Sequence, residues 1–300
     1  MATTANQTRV AATGTQGRSA GFYLSAVIRY GLLTLIALIA FMPFVLSFLG
    51  TFKSNIELTS FPPQVLPDQW NWENWVRVWN FSLPSVDGAV MPRWIWNSTW
   101  LALVNVATQL FFCSLAGYAF ARMRFPGRDA IYAFIIATMA IPGVITLIPG
   151  FVFFARLGWI NTYWPLIVPN LVTPFGILML TQFFKSIPKE LEEAAYIDGL
   201  SRFGSYLRIA LPLSRPALIT LAILAFQASW NNFTAPLLFL QRPEMMTLTV
   251  GMNFFRTQFS NDFSAILVGA MFNAIPVLIL FFILNRYFLE SASYSGLAGQ

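Results

Sequence analysis

Four of the chain's twelve acidic residues stand within nine positions, although only 10% of the chain is charged: Glu190, Glu192, Glu193 and Asp198. Clustered carboxylates are the groups that metal sites and acid–base catalysis use. The chain has no histidine and a single cysteine, Cys113, so the sequence offers no metal-ligand cluster and no Ser-His-Asp set around them. It also lacks a G-x-x-x-x-G-K-[ST] phosphate-binding loop. We therefore predict that the chain is not an enzyme and holds no metal or nucleotide of its own.

The sequence around this acidic cluster is strongly apolar. Hydrophobic residues make up 57% of the chain, and the mean hydropathy is +0.63. A helix needs about 20 apolar residues to cross a bilayer. The long apolar stretches are apolar all round, which argues against a large soluble helical core. The sequence predicts an all-α, polytopic membrane protein with six transmembrane helices, at about 28–50, 94–121, 130–155, 163–184, 213–240 and 264–288.

The distribution of basic residues predicts the orientation. With the N-terminus in the cytoplasm, 12 of the 18 Lys and Arg residues fall on the cytoplasmic side. Because cytoplasmic loops carry the excess of basic residues, both termini are predicted to be cytoplasmic, and the loops at 52–92 and 241–262 to lie outside. No cleavable signal peptide is evident. Residues 1–27 are predicted to be a disordered cytoplasmic tail, residues 28–289 the membrane domain, and residues 290–300 a flexible cytoplasmic tail.

The acidic cluster begins a segment that we call the charged loop, residues 186–212. Pro188 suits the first turn of a helix, and the glutamates after it favour the positive end of the helix dipole. Gly199 fits the left-handed position just past a helix end, and Ser201 can cap a second helix. The loop is therefore predicted to form a helix of roughly 11 residues, a glycine break and a second helix on the cytoplasmic surface. A solvated loop helix without further function is the alternative.

The same segment carries a longer pattern. Glu193-Ala194-Ala195 is followed by Asp198-Gly199, then by Leu211-Pro212-Leu213 and Pro216. This pattern resembles the EAA loop of ABC importer permeases, although Leu200 stands where that family usually has alanine. Further stretches, including "SLAGYAFARMRFPGRD" and "WNNFTAPLLFL", resemble the carbohydrate branch of the family, and the second, six-span permease of maltose-type systems is the nearest type.

The resemblance implies a function and a set of partners. It implies a permease subunit that forms half of a translocation path, pairs with a sister permease and receives sugar from an extracytoplasmic solute-binding protein. Two ATPase subunits would bind the ATP and Mg, so no cofactor is expected in this chain. The residues implied to couple to the ATPase are Glu193, Ala194, Ala195, Asp198, Gly199, Leu211 and Pro212.

Polar residues inside the apolar segments are the candidates for substrate contact. Sugars are bound through hydrogen bonds to their hydroxyls and through an aromatic face, which suits Asn, Gln and Trp side chains. The candidates are Asn105, Gln109, Asn170, Thr173, Trp230, Asn231, Asn232 and Asn273. Hydrogen bonding between helices is the alternative role for each of them. In maltose-type permeases the outer loop between the last two spans reaches into the binding protein, which here implicates Gly251, Met252 and Asn253; an ordinary loop with a small hairpin is the alternative.

A transporter of another class remains open from the residues alone. No Asp, Glu or His lies at a span centre, which weakens an ion-coupled secondary transporter without excluding it. No basic residue lies in mid-span either, so a small neutral sugar or glycoside is expected rather than a phosphate. The basic residues form no single patch, so nucleic acid is not an expected partner. We expect a multi-pass protein of a bacterial or archaeal cytoplasmic membrane, surrounded by lipid.

Overall fold

The computed structural model describes residues 20–256 and 262–297, with side chains from residue 25 to 256 and from 262 to 283. No β-strand occurs in these residues; an isolated β-bridge joins Ser82 and Ala89. The first half of the chain contains α1 (Ala20–Gly50), α2 (Asn55–Thr59), α3 (Glu73–Trp79), α4 (Met91–Arg122), α5 (Arg128–Ala137) and α6 (Gly143–Arg156). The second half contains α7 (Trp164–Ile167), α8 (Pro174–Ser186), α9 (Lys189–Ile197), α10 (Arg202–Ser205), α11 (Leu211–Leu213), α12 (Arg215–Trp230), α13 (Thr234–Phe239), α14 (Leu248–Gly251) and α15 (Phe263–Leu297).

Four helical segments of the described chain are long and apolar enough to cross a membrane: Ser25–Gly50, Met91–Arg122, Trp164–Ser186 and Phe263–Ile283. Two bent pairs bring the number to six if each pair is one span. The predicted all-α membrane architecture is confirmed.

The bends correct the predicted spans at 130–155 and 213–240. The first is broken at Pro142, where α5 with its short 3-10 extension meets α6 at 100°. Proline lacks the N–H that a continuous helix needs and disfavours helical geometry in the residue before it, and Ile141 is accordingly extended. The second is bent by 76° between α11 and α12, and α12 ends at Trp230, well before residue 240.

The predicted span at 163–184 is also interrupted. It consists of α7, a 3-10 turn at Val168–Asn170 and α8. The hydroxyl of Thr173 accepts a hydrogen bond from the Gly176 N–H at 3.2 Å and so caps the start of α8.

The helix α4 lies at the centre of the molecule. It packs against α12 and, in its second half, against α8, and it also contacts α3, α7 and α14. Buried apolar clusters surround it at both ends: one includes Trp94 and Trp230, and another includes Cys113 and Phe184. The helix α1, by contrast, touches mainly α15 and leaves most of its apolar surface exposed. In a membrane, lipid covers such a surface.

The chain ends differ from the predicted tails. The helix α1 begins at Ala20, inside the segment predicted to be disordered, and α15 continues to Leu297, through most of the segment predicted to be flexible. Extending an existing helix adds one hydrogen bond for each residue fixed, so polar residues next to a long helix readily continue it. Residues 1–19 and 298–300 lie outside the described residues.

Candidate functional site

The charged loop has the predicted helix, glycine break and second helix. The helix α9 has nine residues rather than eleven, because Pro188 occupies the N-cap instead of the first turn. Gly199 has a φ of +82°, the left-handed conformation that the sequence predicted for it. Ser201 caps α10, its Oγ accepting a hydrogen bond from the Gly204 N–H at 3.1 Å. The chain then passes through a π-helical turn at Tyr206–Ala210 into α11.

The four acids of α9 and its end do not share one environment. Glu192 is buried, and its Oε1 lies 2.8 Å from Nε of Arg122 at the end of α4. The Tyr118 hydroxyl donates to the other carboxylate oxygen of Glu192 at 3.1 Å. Glu192 therefore does not face water but holds α9 against α4. Glu190, Glu193 and Asp198 are exposed.

The alanines of the loop are divided in the same way. Ala195 is only 4% exposed and faces this chain's own core, whereas Ala194 is exposed. Leu211 is half-buried and Pro212 is exposed. The exposed members of the coupling set are thus Glu193, Ala194, Asp198, Gly199 and Pro212, and these lie where a partner could reach them.

A cleft of about 640 Å³ lies beside α9. Basic side chains at the ends of α4 and α8 and at the start of α9 line it, together with two glutamates: Arg122, Arg124, Arg128, Lys185, Lys189, Glu192 and Glu193. Arg122 pairs with Glu192 and Arg128 pairs with Asp129, so within the described part of the chain the unpaired basic residues of the cleft are Arg124, Lys185 and Lys189.

Four of the substrate-path candidates meet at a small cavity of about 40 Å³ between α4, α7 and α12. They are Asn105, Gln109, Asn170 and Asn232, and Ser229 joins them. Asn105 is 3% exposed; its Nδ2 donates to the Ser229 Oγ at 2.9 Å, and its Oδ1 has no hydrogen-bond partner in the described residues. Side-chain amides and a hydroxyl, without a charge, suit a ligand with hydroxyl groups.

The other path candidates lie elsewhere. Asn273 lines a second cavity, of about 360 Å³, together with Thr249, Asn253 and Arg256. Trp230 is buried, and its indole N–H donates to the Asn273 carbonyl at 3.0 Å, so it joins α12 to α15. Asn231 is exposed at the end of α12, and Thr173 caps α8 while donating a long hydrogen bond to Gln109 at 3.4 Å. For Trp230, Thr173, Gln109 and Asn105, the structure shows the hydrogen bonding between segments that the sequence left as the alternative.

The outer segment with Gly251, Met252 and Asn253 is helical and packed, and the Asp262 N–H donates to the Phe255 carbonyl at 3.0 Å. Gly251 is buried in α14, where a Cβ would lie 2.2 Å from a ring carbon of Trp94. Met252 and Asn253 are half-buried in the 3-10 turn that follows, and Asn253 reaches the cavity beside Arg256. Residues 257–261 of this segment lie outside the described residues.

Three residues that the sequence analysis missed tie this outer segment to the first turns of α4. The Trp94 indole donates to the Pro243 carbonyl at 2.7 Å, and the Asn97 amide donates to the carbonyls of Glu244 and Met246 at 2.9 and 3.0 Å. The Ser98 Oγ accepts from the Leu248 N–H at 2.8 Å. Their spacing of three and four residues, which places them on one helix face, was the available signal.

A polar group on the outer side joins the first outer loop to α15. Arg77 pairs with Asp262 and donates to the Ser264 Oγ at 3.0 Å. Burial alone would raise the pKa of Asp262, but hydrogen bonds from Arg77, the Ala265 N–H and Ser264 outweigh it and hold the pKa below its usual value. The described residues contain no group of three or more His, Cys, Asp or Glu that could hold a metal ion.

Residues 113–290, more than half of the chain, match the family described as binding-protein-dependent transport system inner membrane component. The arabinooligosaccharides transport system permease protein AraQ of Halalkalibacterium halodurans is 33% identical over 264 residues, which are 88% of this chain and 93% of AraQ. The lactose transport system permease protein LacG of Rhizobium radiobacter is 28% identical, over 89% of this chain and 94% of LacG. The inner membrane ABC transporter permease protein YcjP of Escherichia coli is 30% identical, over 92% and 98%.

Solved structures share the fold. A chain of a bacterial ABC transporter for import of the acidic polysaccharide alginate superposes with a TM-score of 0.76 at 22% identity, covering 91% of this chain and all of that one. A chain of a bacterial alginate ABC transporter in complex with a periplasmic protein bound to an alginate pentasaccharide gives a TM-score of 0.62 at 17% identity, covering 89% and 96%. The resemblance drawn from the sequence is confirmed.

Proposed function

This chain belongs to the family of binding-protein-dependent transport system inner membrane components, and from that premise we propose that it is the permease subunit of an ATP-driven importer of small neutral sugars or glycosides. Two relatives with near full-length matches are named for the transport of oligosaccharides, arabinooligosaccharides and lactose. Family membership favours this function over the ion-coupled secondary transporter that the residues alone left open.

The observation that carries the proposal is the charged loop. Its exposed members Glu193, Ala194 and Asp198 stand on a short helix fixed against the end of α4, and Gly199 turns the chain immediately after it. A rigid, exposed helix at the predicted cytoplasmic end of the spans suits docking into an ATPase subunit. Two such subunits, which would bind the ATP and Mg, and a sister permease would complete the transporter.

The uncharged cavity supports the neutral substrate class. Amide and hydroxyl groups line it, and the unpartnered Oδ1 of Asn105 can accept a hydrogen bond from a single sugar hydroxyl. At about 40 Å³ the cavity must widen to admit a whole sugar. An extracytoplasmic solute-binding protein would deliver the sugar to the outer side, near Met252 and Asn253. This arrangement requires both termini in the cytoplasm and a multi-pass position in a bacterial or archaeal cytoplasmic membrane.

Uptake by the reconstituted transporter tests the proposal. The chain, its sister permease, its ATPase and its binding protein are placed in proteoliposomes with a panel of arabinooligosaccharides, lactose and chitobiose. We expect uptake that needs ATP and the binding protein and that stops when the P-loop lysine of the ATPase is replaced. The purified chain alone should hydrolyse no ATP. Uptake that follows an ion gradient without ATP would refute the proposal.

The cavity has a test of its own. Asn105→Ala and Asn170→Ala should raise the sugar concentration needed for half-maximal uptake while leaving ATPase association unchanged. Thr108→Ala is the matched control, because the Thr108 hydroxyl lies on the same helix but donates only to the Val104 and Asn105 carbonyls of α4 itself. Equal uptake by all three variants and the parent would remove the cavity from the path.

A further inference from the structure

Hydrogen bonds and an ion pair fasten one helix, α4, to functional segments at both of its ends. At its last turns, three residues spaced four apart, Ser114, Tyr118 and Arg122, contact the charged loop. We call these three residues the inner attachment. The Ser114 Oγ lies 2.8 Å from the Tyr206 hydroxyl, Tyr118 donates to Glu192, and Arg122 pairs with Glu192 and donates to the Ile187 carbonyl.

The side chains of the inner attachment and their partners are buried. The Arg122 and Glu192 side chains are 7% and 6% exposed, and Ser114, Tyr118 and Tyr206 are all buried. Removing one partner of a buried charge pair leaves the other charge uncompensated, which is far more disruptive than losing a surface pair. The charged loop therefore cannot shift relative to the end of α4 without breaking these contacts.

The outer attachment consists of Trp94, Asn97 and Ser98, whose side chains make hydrogen bonds to the backbone of residues 243–248. All three side chains are largely or fully buried. Asn105 and Gln109, which line the uncharged cavity, lie on α4 between the two attachments. At 1.5 Å per residue, the helix spans about 42 Å from Trp94 to Arg122.

The backbone of α4 is suited to carry a movement over that distance. It is a continuous α-helix of 32 residues whose only proline, Pro92, stands in the first turn. Among the spans that the structure describes, each of the others has an internal proline or a break: Pro43 in α1, Pro276 in α15, and the interruptions at residues 141–142, 168–173 and 214. Bending of a helix concentrates at such points, and α4 has none in its interior.

We propose that α4 is the element that transmits movement of the charged loop to the cavity and to the outer segment at residues 243–251, with the inner and outer attachments as its fastening points. This inference rests on the proposed function and adds to it the residues that perform the transmission. Tyr118, Tyr206, Glu192 and Arg122 are positioning residues in it, since none of them lines the uncharged cavity.

The test removes single hydroxyl groups. Tyr118→Phe and Tyr206→Phe, combined in one variant, keep both rings and delete the hydrogen bonds that the two hydroxyls make with Glu192 and Ser114, while the Arg122 contacts stay in place. Tyr132→Phe is the matched control, because the Tyr132 hydroxyl is buried in the same region and has no hydrogen-bond partner in the described residues. Asn97→Ala disrupts the outer attachment, and Glu192→Gln removes the buried charge.

Two rates are measured in the reconstituted complex at matched ATPase association: ATP hydrolysis without the binding protein, and its stimulation by the sugar-loaded binding protein. We expect the double tyrosine variant and Asn97→Ala each to hydrolyse ATP at the parent's rate when the binding protein is absent. Their stimulation by the sugar-loaded binding protein should be at least about fivefold weaker than the parent's, which is the lower end of typical coupling between distant sites. Tyr132→Phe should behave as the parent. Loss of folding would lower both rates together.

The outcomes separate this inference from the proposed function. If the parent complex shows no stimulated hydrolysis at all, the proposed function fails. If the parent is stimulated and the double tyrosine variant and Asn97→Ala are stimulated equally well, α4 is not the transmitting element. Should Glu192→Gln fail to assemble, the hydroxyl deletions still decide the question.

Discussion

Replacing Gly199 by valine should uncouple the transporter without preventing its insertion. Gly199 has a φ of +82°, and no atom lies within 4 Å of the position that a Cβ would take. The effect of the substitution is therefore backbone strain alone, with no steric clash to add. A non-glycine residue held in this conformation costs about 1–3 kcal/mol, with a β-branched residue at the upper end.

The strain at Gly199 would act on the turn that joins α9 to α10. The Gly199 N–H donates to the Tyr196 carbonyl at 3.1 Å, and the Leu200 N–H donates to the Ala195 carbonyl at 2.9 Å. Relieving a strain of about 3 kcal/mol by opening these bonds would reorient α9, and a free energy of this size changes an equilibrium by about 150-fold. Since α9 carries the exposed residues proposed to meet the ATPase, we expect weaker ATPase association or hydrolysis without uptake.

Gly158 provides the control for this substitution. It has a φ of +70°, and it too has open space around the position of a Cβ, but it lies between α6 and α7, far along the chain from the charged loop. Gly158→Val should therefore cost similar stability and leave ATPase association intact. The assay compares sugar uptake, ATPase pull-down and thermal unfolding at matched membrane levels. Equal uptake and equal ATPase binding by Gly199→Val, Gly158→Val and the parent would refute the reasoning.

Three further predictions concern the outer side and the orientation. Gly251→Ala places a methyl group 2.2 Å from a ring carbon of the fully buried Trp94, and such overpacking should lower stability by about 1–3 kcal/mol; unchanged thermal unfolding would contradict it. Because the folded-state pKa of Asp262 is lowered, its contribution is present above the unfolded pKa of about 3.9 and is lost as the pH falls through the folded value. Since the side chains of Arg77 and Asp262 are 52% and 24% exposed, that contribution should be under about 1 kcal/mol, and Asp262→Asn should flatten the fall in unfolding temperature below pH 4. In intact cells, an impermeant thiol reagent should label Ser85→Cys and spare Ser186→Cys, both exposed positions, with Cys113 left in place because it is buried; the reverse pattern would invert the orientation.

Local rules predicted the backbone of the charged loop well. The positive φ of Gly199 and the cap by Ser201 follow from the chemistry of single residues, and both are found. Apolar length likewise predicted the four helical segments that are long enough to cross a membrane. It could not predict the 100° bend at Pro142, since a proline in an apolar run is compatible with either a kink or a complete break, and packing of the neighbouring elements decides between them.

The burial of Glu192 and its pairing with Arg122 could not be predicted from the sequence. Its neighbours Glu190 and Glu193 are exposed, and a cluster of acids on a short helix usually faces water. Its partner Arg122 lies 70 positions earlier, at the end of a different helix, so only the folded chain brings the two together. The cavity residues were found by type, as amides in apolar segments, but the division between those that line the cavity and those that join helices depends on the packing of α4, α7 and α12.

The broken spans and the continuous α4 complement each other physically. A straight helix can move only if the helices packed against it can change their orientation. The two helices that pack against α4 each adjoin a break: α8 is separated from α7 at residues 168–173, and α12 is bent from α11 at Ser214. Such points allow the flanking segments to reorient through a few backbone angles while their own hydrogen-bonded turns stay intact. The buried attachments at 114–122 and 94–98 then keep the charged loop and the outer segment moving with α4 rather than with the helices around it.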